Sequence, residues 1–353
     1  MAHSFKLPGA LSSLFVVCLV GCASAPPPAP EAPVSPPPQS ETQVTVVAEP
    51  APPPPSPEEL ARAEAASKLA VEREQMRADH QAAVARFTPE MHEQAKKLAE
   101  TSFPNAKAAL KASVAGTHRS EDHKARDKDR HPVETLEFFG LKPTATVLEY
   151  SPGEGWYTEI LAPALATRGK LLATNTDPNG PADQRSSFYG ERFKLFLETA
   201  PELYGKVQVV PIDSKQPALG LDGSVDMVLA FRTLHGMVNQ GQLQAWLAEF
   251  HKALKPGGVL AIEAHRAKPD AVAEESAKQG YLPEKWVIEQ VEAQGFKLAG
   301  KSEINANPKD TKDYPDGVWD LPPTLRLGDQ DRAKYEAIGE SDRMTLKFVK
   351  VKK

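Results

Sequence analysis

The sequence predicts an α/β fold: a mostly parallel seven-stranded sheet with helices on both faces and a final antiparallel strand. Three observations predict it. Short apolar runs recur at 146–150, 170–176, 206–212, 225–231, 258–264, 296–303 and 343–350. Segments with helical spacing fall between most of them, for example 239–254 and 283–294, the latter followed by Gly295 as a natural residue just past a helix end. No convincing helix separates the last two runs, so the final strand is expected antiparallel. Alternation of short apolar strands with helices calls for a sheet covered on both faces, because such strands have no polar face to turn to water.

The first hundred residues are of another kind. Lys6 precedes an apolar stretch from Leu7 to Val20, followed by Gly21 and Cys22. One positive charge and a stretch too short to span a bilayer describe a secretory signal. Leu19-Val20-Gly21-Cys22 also resembles a bacterial lipobox, in which the cysteine becomes the lipidated N-terminus. A lipoprotein signal over residues 1–21 is therefore expected, with lipidation at Cys22 and attachment on the periplasmic side of the outer membrane. An ordinary signal cut near Ala23 or Ala25 is the alternative and implies the same export. The chain's 2 cysteines are Cys18 and Cys22, so the exported part has no pair for a disulfide and no cysteine for zinc or nucleophilic catalysis.

Residues 22–57 form a Pro/Ala-rich linker with runs at Pro26–Pro28, Pro36–Pro38 and Pro52–Pro55, which favour extended polyproline II over packing. Ser56-Pro57-Glu58-Glu59 then gives a serine N-cap, a proline at the first helical position and the glutamate of a capping box. The helix it starts carries a thin stripe through Leu60, Leu69, Val71, Met76 and Val84, so a solvated or loosely docked stalk is expected. Thr88-Pro89-Glu90-Met91 starts a second helix, and the charged stretch from His118 to His131 reads as a loop. Residues 58–132 are thus a charged helical stalk and lead-in to a domain at 133–353. The net charge of −5 offers no general basic field, which excludes nucleic acid as a default partner.

Within the domain, the run Thr146 to Tyr150 passes through Ser151-Pro152-Gly153-Glu154-Gly155 into a helix near Trp156. Glycines let a backbone approach a ligand, and a helix N-terminus adds oriented amides. A dinucleotide site calls for GxGxxG, but Thr158 stands at the third glycine position of the register that begins at Gly153, and Ser151 at the first position of the register that begins two residues earlier.

Strand, acidic residue and glycine loop resemble the first motif of class I methyltransferases, which have a Rossmann-like fold. The resemblance implies S-adenosylmethionine as cofactor, with Glu149, Ser151, Gly153 and Gly155 around its amino-acid part. Ser151 departs from the usual first glycine. The segment ending Asn175-Thr176-Asp177 resembles the second strand, whose terminal acidic residue grips the ribose; by register this is Asn175 or Asp177, and Asp177 is favoured because a carboxylate accepts from both hydroxyls. Asp213 resembles the residue that contacts the adenine amino group. Leu254-Lys255-Pro256-Gly257-Gly258 matches the family's turn into the fifth strand, a structural feature.

About the last 225 residues are also similar to a narrower group of bacterial predicted methyltransferases. The marks are Arg130-His131-Pro132-Val133-Glu134, Pro152 to Thr158, His265-Arg266-Ala267, Asn307 to Thr311, Gly317-Val318-Trp319 with Leu321-Pro322-Pro323, and Gly339 to Thr345.

Two histidines follow strands whose ends face the cofactor in such folds: His235 after the fourth and His265 after the fifth. Either imidazole is a candidate general base near neutral pH, or a partner for loop backbone. Arg232 and Arg266 beside them would hold an acidic substrate or pair with nearby carboxylates. No carboxylate cluster follows the fourth strand, so no metal is expected. The insertion 305–342 emerges beside the site if the sixth strand is parallel. It is expected to act as a substrate lid with Tyr314, Trp319, Arg326 and the Glu340–Arg343 group as walls, or merely to cap the sheet. The leading expectation is an exported, lipid-anchored methyltransferase acting on a small molecule or an exposed acceptor. The alternative is a non-catalytic envelope lipoprotein that uses the fold to bind a ligand or partner.

Overall fold

The structure, a computed structural model, describes residues 55–351. The expected signal peptide, its Cys22 and nearly all of the linker lie outside the described residues. In chain order the elements are α1 (Pro57–Arg86), α2 (Pro89–Glu100), α3 (Ala106–Val114), α4 (Glu121–Ala125), α5 (Asp127–Arg130), α6 (Pro132–Phe139), β1 (Thr146–Tyr150), α7 (Thr158–Leu165), β2 (Lys170–Asn175), α8 (Arg185–Glu198), α9 (Pro201–Tyr204) and β3 (Gln208–Pro211). They continue with β4 (Val225–Phe231), α10 (Leu234–Asn239), α11 (Leu243–Ala253), β5 (Leu254–His265), α12 (Ala273–Lys278), α13 (Glu284–Ala293), β6 (Phe296–Ser302), a 3-10 turn (Gly317–Asp320), α14 (Arg332–Ile338) and β7 (Arg343–Lys350).

The seven strands form one sheet in the order β3-β2-β1-β4-β5-β7-β6. The first five run parallel, and β7 lies antiparallel between β5 and β6. The expected α/β architecture and its antiparallel final strand are therefore observed. Because strand side chains alternate between faces, each strand feeds two cores. Leu148, Val228, Leu260, Ile262, Leu346 and Phe348 pack under α11 and α13. Val147, Leu171, Met227, Leu229 and Ala261 pack on the opposite face under α6 and α7.

The lead-in differs from its expectation. Phe87, Ala95, Ala99, Ala109 and Leu110 belong to the same core as β1, so α2 and α3 are packed layers of the domain. Their alanines look neutral in a hydrophobic pattern, yet a small side chain is what lets two helices approach closely. The longer α1 docks by a narrow stripe: Leu69 and Met76 cover Phe188 of α8, while Arg73 and Arg77 pair with Glu191. The Ser56 capping box forms as expected. Residues 118–131, expected as a loop, contain α4 and α5, and they are buried where their charges find partners. The Arg119 guanidinium, fully enclosed, holds Glu159 of α7 at 2.6 Å and Asp127 at 2.6 Å. His123 Nδ1 lies 3.0 Å from the second Glu159 oxygen, and the indole N–H of Trp156 donates to the His123 carbonyl at 3.0 Å.

Removing one partner of a buried ion pair leaves the other uncompensated, at a cost of about 3–5 kcal/mol, whereas an exposed pair contributes about 0–1 kcal/mol. Arg119→Met is expected to lower the thermal midpoint severely. Arg332→Met, which breaks the exposed pair with Glu336 on α14, is expected to change it little. Equal small effects in a calorimetric scan would show that the lead-in is not integral to the domain.

Candidate functional site at the carboxyl edge of the sheet

Five parallel strands deliver their carboxyl ends to one edge, and the domain residues expected to bind or react lie at or just after one of those ends except those of the insertion. The loop after β1 is left-handed at three positions: Ser151 (φ 54°), Gly153 (φ 64°) and Gly155 (φ 81°). Ser151 therefore keeps the backbone that glycine would adopt, with some steric strain. Its N–H donates to the Thr174 hydroxyl of β2 at 2.8 Å, fixing the loop to the next strand. A Cβ at Gly153 would meet nothing within 4 Å, so the loop is open there; a Cβ at Gly155 would lie 2.4 Å from the ring of Phe196.

Glu149 is buried at the base of the loop and accepts the Thr158 hydroxyl at 2.6 Å. Burial pushes its carboxyl up to about 7, against the opposing pull of Thr158 and Arg232. Asn175, the last residue of β2, is buried and donates its amide to the Gly190 carbonyl at 3.0 Å. Asp177 is exposed and accepts the Asn179 N–H at 2.9 Å; Asp213 is exposed and accepts the Lys215 N–H at 2.8 Å. A cavity of about 680 Å³ brings Asn175, Asp177 and Asp213 together over apolar walls that include Leu197, Tyr204 and Val209. Phe196 packs against Gly155 and its ring centroid lies 4.7 Å from that of Tyr204, so it touches both the glycine loop and a residue of the cavity wall.

At the other end of the site lies a charged cluster that the sequence reading largely missed. Glu263, fully buried in β5, accepts the Tyr157 hydroxyl at 3.0 Å and lies 3.1 Å from Arg343 Nε. Arg343 also pairs with Glu340, which Arg130 holds at 2.9 Å. Burial opposes ionisation of Glu340, but Arg343 and Arg130 outweigh it and hold the carboxyl down at about 2. Arg232, itself left-handed (φ 57°), donates its backbone N–H to the Glu263 carbonyl at 2.6 Å and reaches the same carboxylate at 3.4 Å. The signal available in the sequence was a glutamate inside the apolar run Ala261-Ile262-Glu263-Ala264.

A family described as methyltransferase domain matches residues 122–298. The chain belongs to that family. No curated protein matches it. Solved structures that resemble it include a SAM-dependent methyltransferase from Aquifex aeolicus, at 20% identity and TM-score 0.44 over 65% of this chain and 95% of that one. The [4+2]-cyclase SpnF aligns at 15% identity and TM-score 0.45 over 63% and 80%. A TehB-like SAM-dependent methyltransferase from Corynebacterium glutamicum aligns at 16% and 0.37 over 62% and 86%.

The methyltransferase domain match ends in β6, and the insertion and β7 lie beyond it. They close over the strand ends that carry the two histidines. His235 and His265 stand with ring centroids 5.8 Å apart, and Trp319 of the insertion lies 5.9 Å from His235. His265 Nδ1 is 2.5 Å from the Ser341 hydroxyl. Tyr314 is buried against Tyr335 and accepts the Thr311 N–H, which makes it part of the insertion's own core and not a wall of the site. The second reading of Arg266 is the one realised: its guanidinium is matched by Glu284, Glu303 and Asp342. It ties β5 to α13 and to the ends of the insertion.

The histidines do not have the near-neutral basicity expected of them. Burial lowers His235 to about 4, and burial together with His235, Arg343, Arg232 and Arg130 takes His265 well below the ordinary range. Both are neutral acceptors at pH 7, and an imidazole of such low pKa is a weak base. Since an unfolded histidine titrates near about 6.5, these two favour unfolding as pH falls from about 6.5 towards 4. A proton NMR titration is expected to move the His235 ring signals with a midpoint near about 4. A midpoint near about 6.5 would mean that water reaches the ring freely and that the insertion does not seal this end.

Proposed function

We propose that the domain binds S-adenosylmethionine along its carboxyl strand edge and transfers the methyl group to an acceptor. The observation that carries the reading is that Asp177 and Asp213 share one cavity at the same edge as Glu149 and the glycine loop. When bound, the cofactor supplies an electrophilic methyl carbon on a positively charged sulfur. The residues present suit it. Glu149 is a desolvated carboxylate short of a cation, which an α-ammonium would provide; Gly153 leaves room for a ligand over the loop; Asp177 has acceptor capacity for ribose hydroxyls, and Asp213 for an exocyclic amine. The cavity volume falls in the ordinary range for small-molecule sites, about 300–1,000 Å³. Neutral His235 or His265 would accept a hydrogen bond from the acceptor and orient it, and the Trp319 side of the insertion would exclude water.

A second reading is favoured by the cavity itself, whose walls include Asn175, Asp177 and Asp213 but no residue of the glycine loop, against which Phe196 packs; this suits a ligand confined to the cavity and not one that spans to the loop. In that case the domain is a binding protein of the envelope without catalysis.

Calorimetry of the full-length chain in detergent with S-adenosylmethionine and S-adenosylhomocysteine separates these. Saturable binding of both is expected, while no heat at millimolar ligand rejects the cofactor reading. Protonated Glu149 offers an ammonium no charge, so affinity is expected to rise with pH as the carboxyl ionises around about 7. The gain between pH 6 and pH 8 should be about tenfold, and it should vanish in Glu149→Gln. A pH-independent affinity in the wild type excludes Glu149 as the ammonium partner.

We also propose that the protein is anchored by lipid at Cys22 on the periplasmic side of the outer membrane, a reading that the Leu19-Val20-Gly21-Cys22 sequence supports. Cys22→Ala is expected to shift the protein from the membrane to the soluble fraction. Retention in the membrane fraction would mean that another feature holds it there.

A further inference from the structure

Arg326 differs from every other described arginine. Arg62, Arg73, Arg77, Arg185 and Arg332 pair with carboxylates even though most are on the surface, and the buried Arg119, Arg130 and Arg343 do the same. Arg86 and Arg168 donate to backbone carbonyls. Arg126, Arg192, Arg232 and Arg266 also have carboxylate partners. Among the described residues no carboxylate or carbonyl receives the Arg326 guanidinium, although the residue is exposed and surface carboxylates are common on this chain.

The guanidinium is nevertheless held in place. Its carbon lies 4.8 Å above the ring of Trp319, and the backbone N–H of Arg326 donates to the Trp319 carbonyl at 2.9 Å. Stacking orients the planar fork and leaves its edge donors free, the geometry that suits an oxyanion. Trp319 in turn meets His235, and His235 meets His265, so Arg326 is the outer end of a continuous wall that runs to the strand ends. Asp320, next to Trp319, is buried with its Oδ2 accepting the Asp316 N–H, and does not pair with the Arg326 guanidinium. Deeper in, Arg343 and Arg130 are matched by the equally buried Glu263 and Glu340, so Arg326 is the cation left unmatched on this wall.

We infer that the wall of Trp319, His235 and His265 receives a small molecule bearing a carboxylate or phosphate, and that Arg326 binds this oxyanion at the rim. As the methyl acceptor's anchor, the assignment rests on the methyltransferase reading above; as an anion site, it stands on Arg326 and Trp319 alone. Arg326 is a specificity residue here. It selects the acceptor by charge and places the rest of the molecule along the two imidazoles.

The test is an NMR titration of the full-length chain in detergent, following the Trp319 indole N–H signal, which Trp319→Phe identifies by its loss. The probes are benzoate, phenyl phosphate and benzamide, which share a ring and differ in charge. Benzoate or phenyl phosphate is expected to shift the signal saturably and benzamide is not; whichever anion binds more tightly assigns the oxyanion. In Arg326→Gln the favoured anion is expected to bind at least about tenfold more weakly, as for loss of a charge-assisted hydrogen bond, and Arg326→Lys should recover part of it. Equal response to benzamide, unchanged affinity in Arg326→Gln, or no saturable shift with either anion at tens of millimolar overturns the inference. Calorimetry with S-adenosylmethionine on the wild type keeps the two proposals apart: a chain that binds the anion but not the cofactor retains the anion site and loses its role as acceptor site.

Discussion

Glu263 has no exposed surface, and a carboxylate in that position is tolerable only if its charge is answered from several directions at once. Tyr157 answers from the turn after the glycine loop, Arg343 from the start of β7, and Arg232 from the end of β4. Arg343 is shared with Glu340, and Glu340 with Arg130 of the lead-in. One buried carboxylate thereby joins four separate stretches of chain at the edge where ligands bind. The direction of β7 is what allows this. A parallel last strand would end at this edge with its hydrophobic residues in the core, whereas the antiparallel one begins here and brings residues 340–343 with it.

Most of the sheet was legible in the sequence because a buried strand cannot disguise its composition. β1, β4 and β7 begin and end where the apolar runs do, and Gly295 follows α13 with the positive φ expected of it. β5 begins earlier than expected, since Leu254 pairs with Val225 across an irregularity; the helix expected at 239–254 is α11, four residues shorter at its start, and the short α10 before it was not expected. The lead-in was misjudged for two physical reasons. Alanine carries little hydrophobic signal yet packs well, and a charged residue is read as solvated unless its partner is known. Arg119 and Glu159 are 40 positions apart in sequence, so neither announces the other.

The candidate site was legible in part for the same reason. Residues at strand ends can be named from the strand pattern, because parallel topology fixes which edge they reach. What they touch there depends on contacts from the lead-in, the insertion and β7, which no local pattern specifies. Hence Arg266 and Tyr314 proved to be occupied by their neighbours, the histidines proved to be desolvated, and Glu263 escaped notice. Phe196, in contact with both Gly155 and Tyr204, is of the same type: an ordinary helix residue by sequence whose importance comes from what it adjoins.

The strand order carries one more consequence, for the sequence of folding events. β7 lies between β5 and β6 although it follows both along the chain. Among the described residues β6 pairs only with β7, so after it leaves the ribosome or a translocation pore it has no edge to join until a later segment has inserted beside β5. During that interval β5 is the open margin of a five-stranded sheet, and Glu263 has Arg232 and Tyr157 as partners but not yet Arg343. The margin thus carries an incompletely answered charge until β7 arrives, a state that disfavours pairing with a stray hydrophobic strand from another chain.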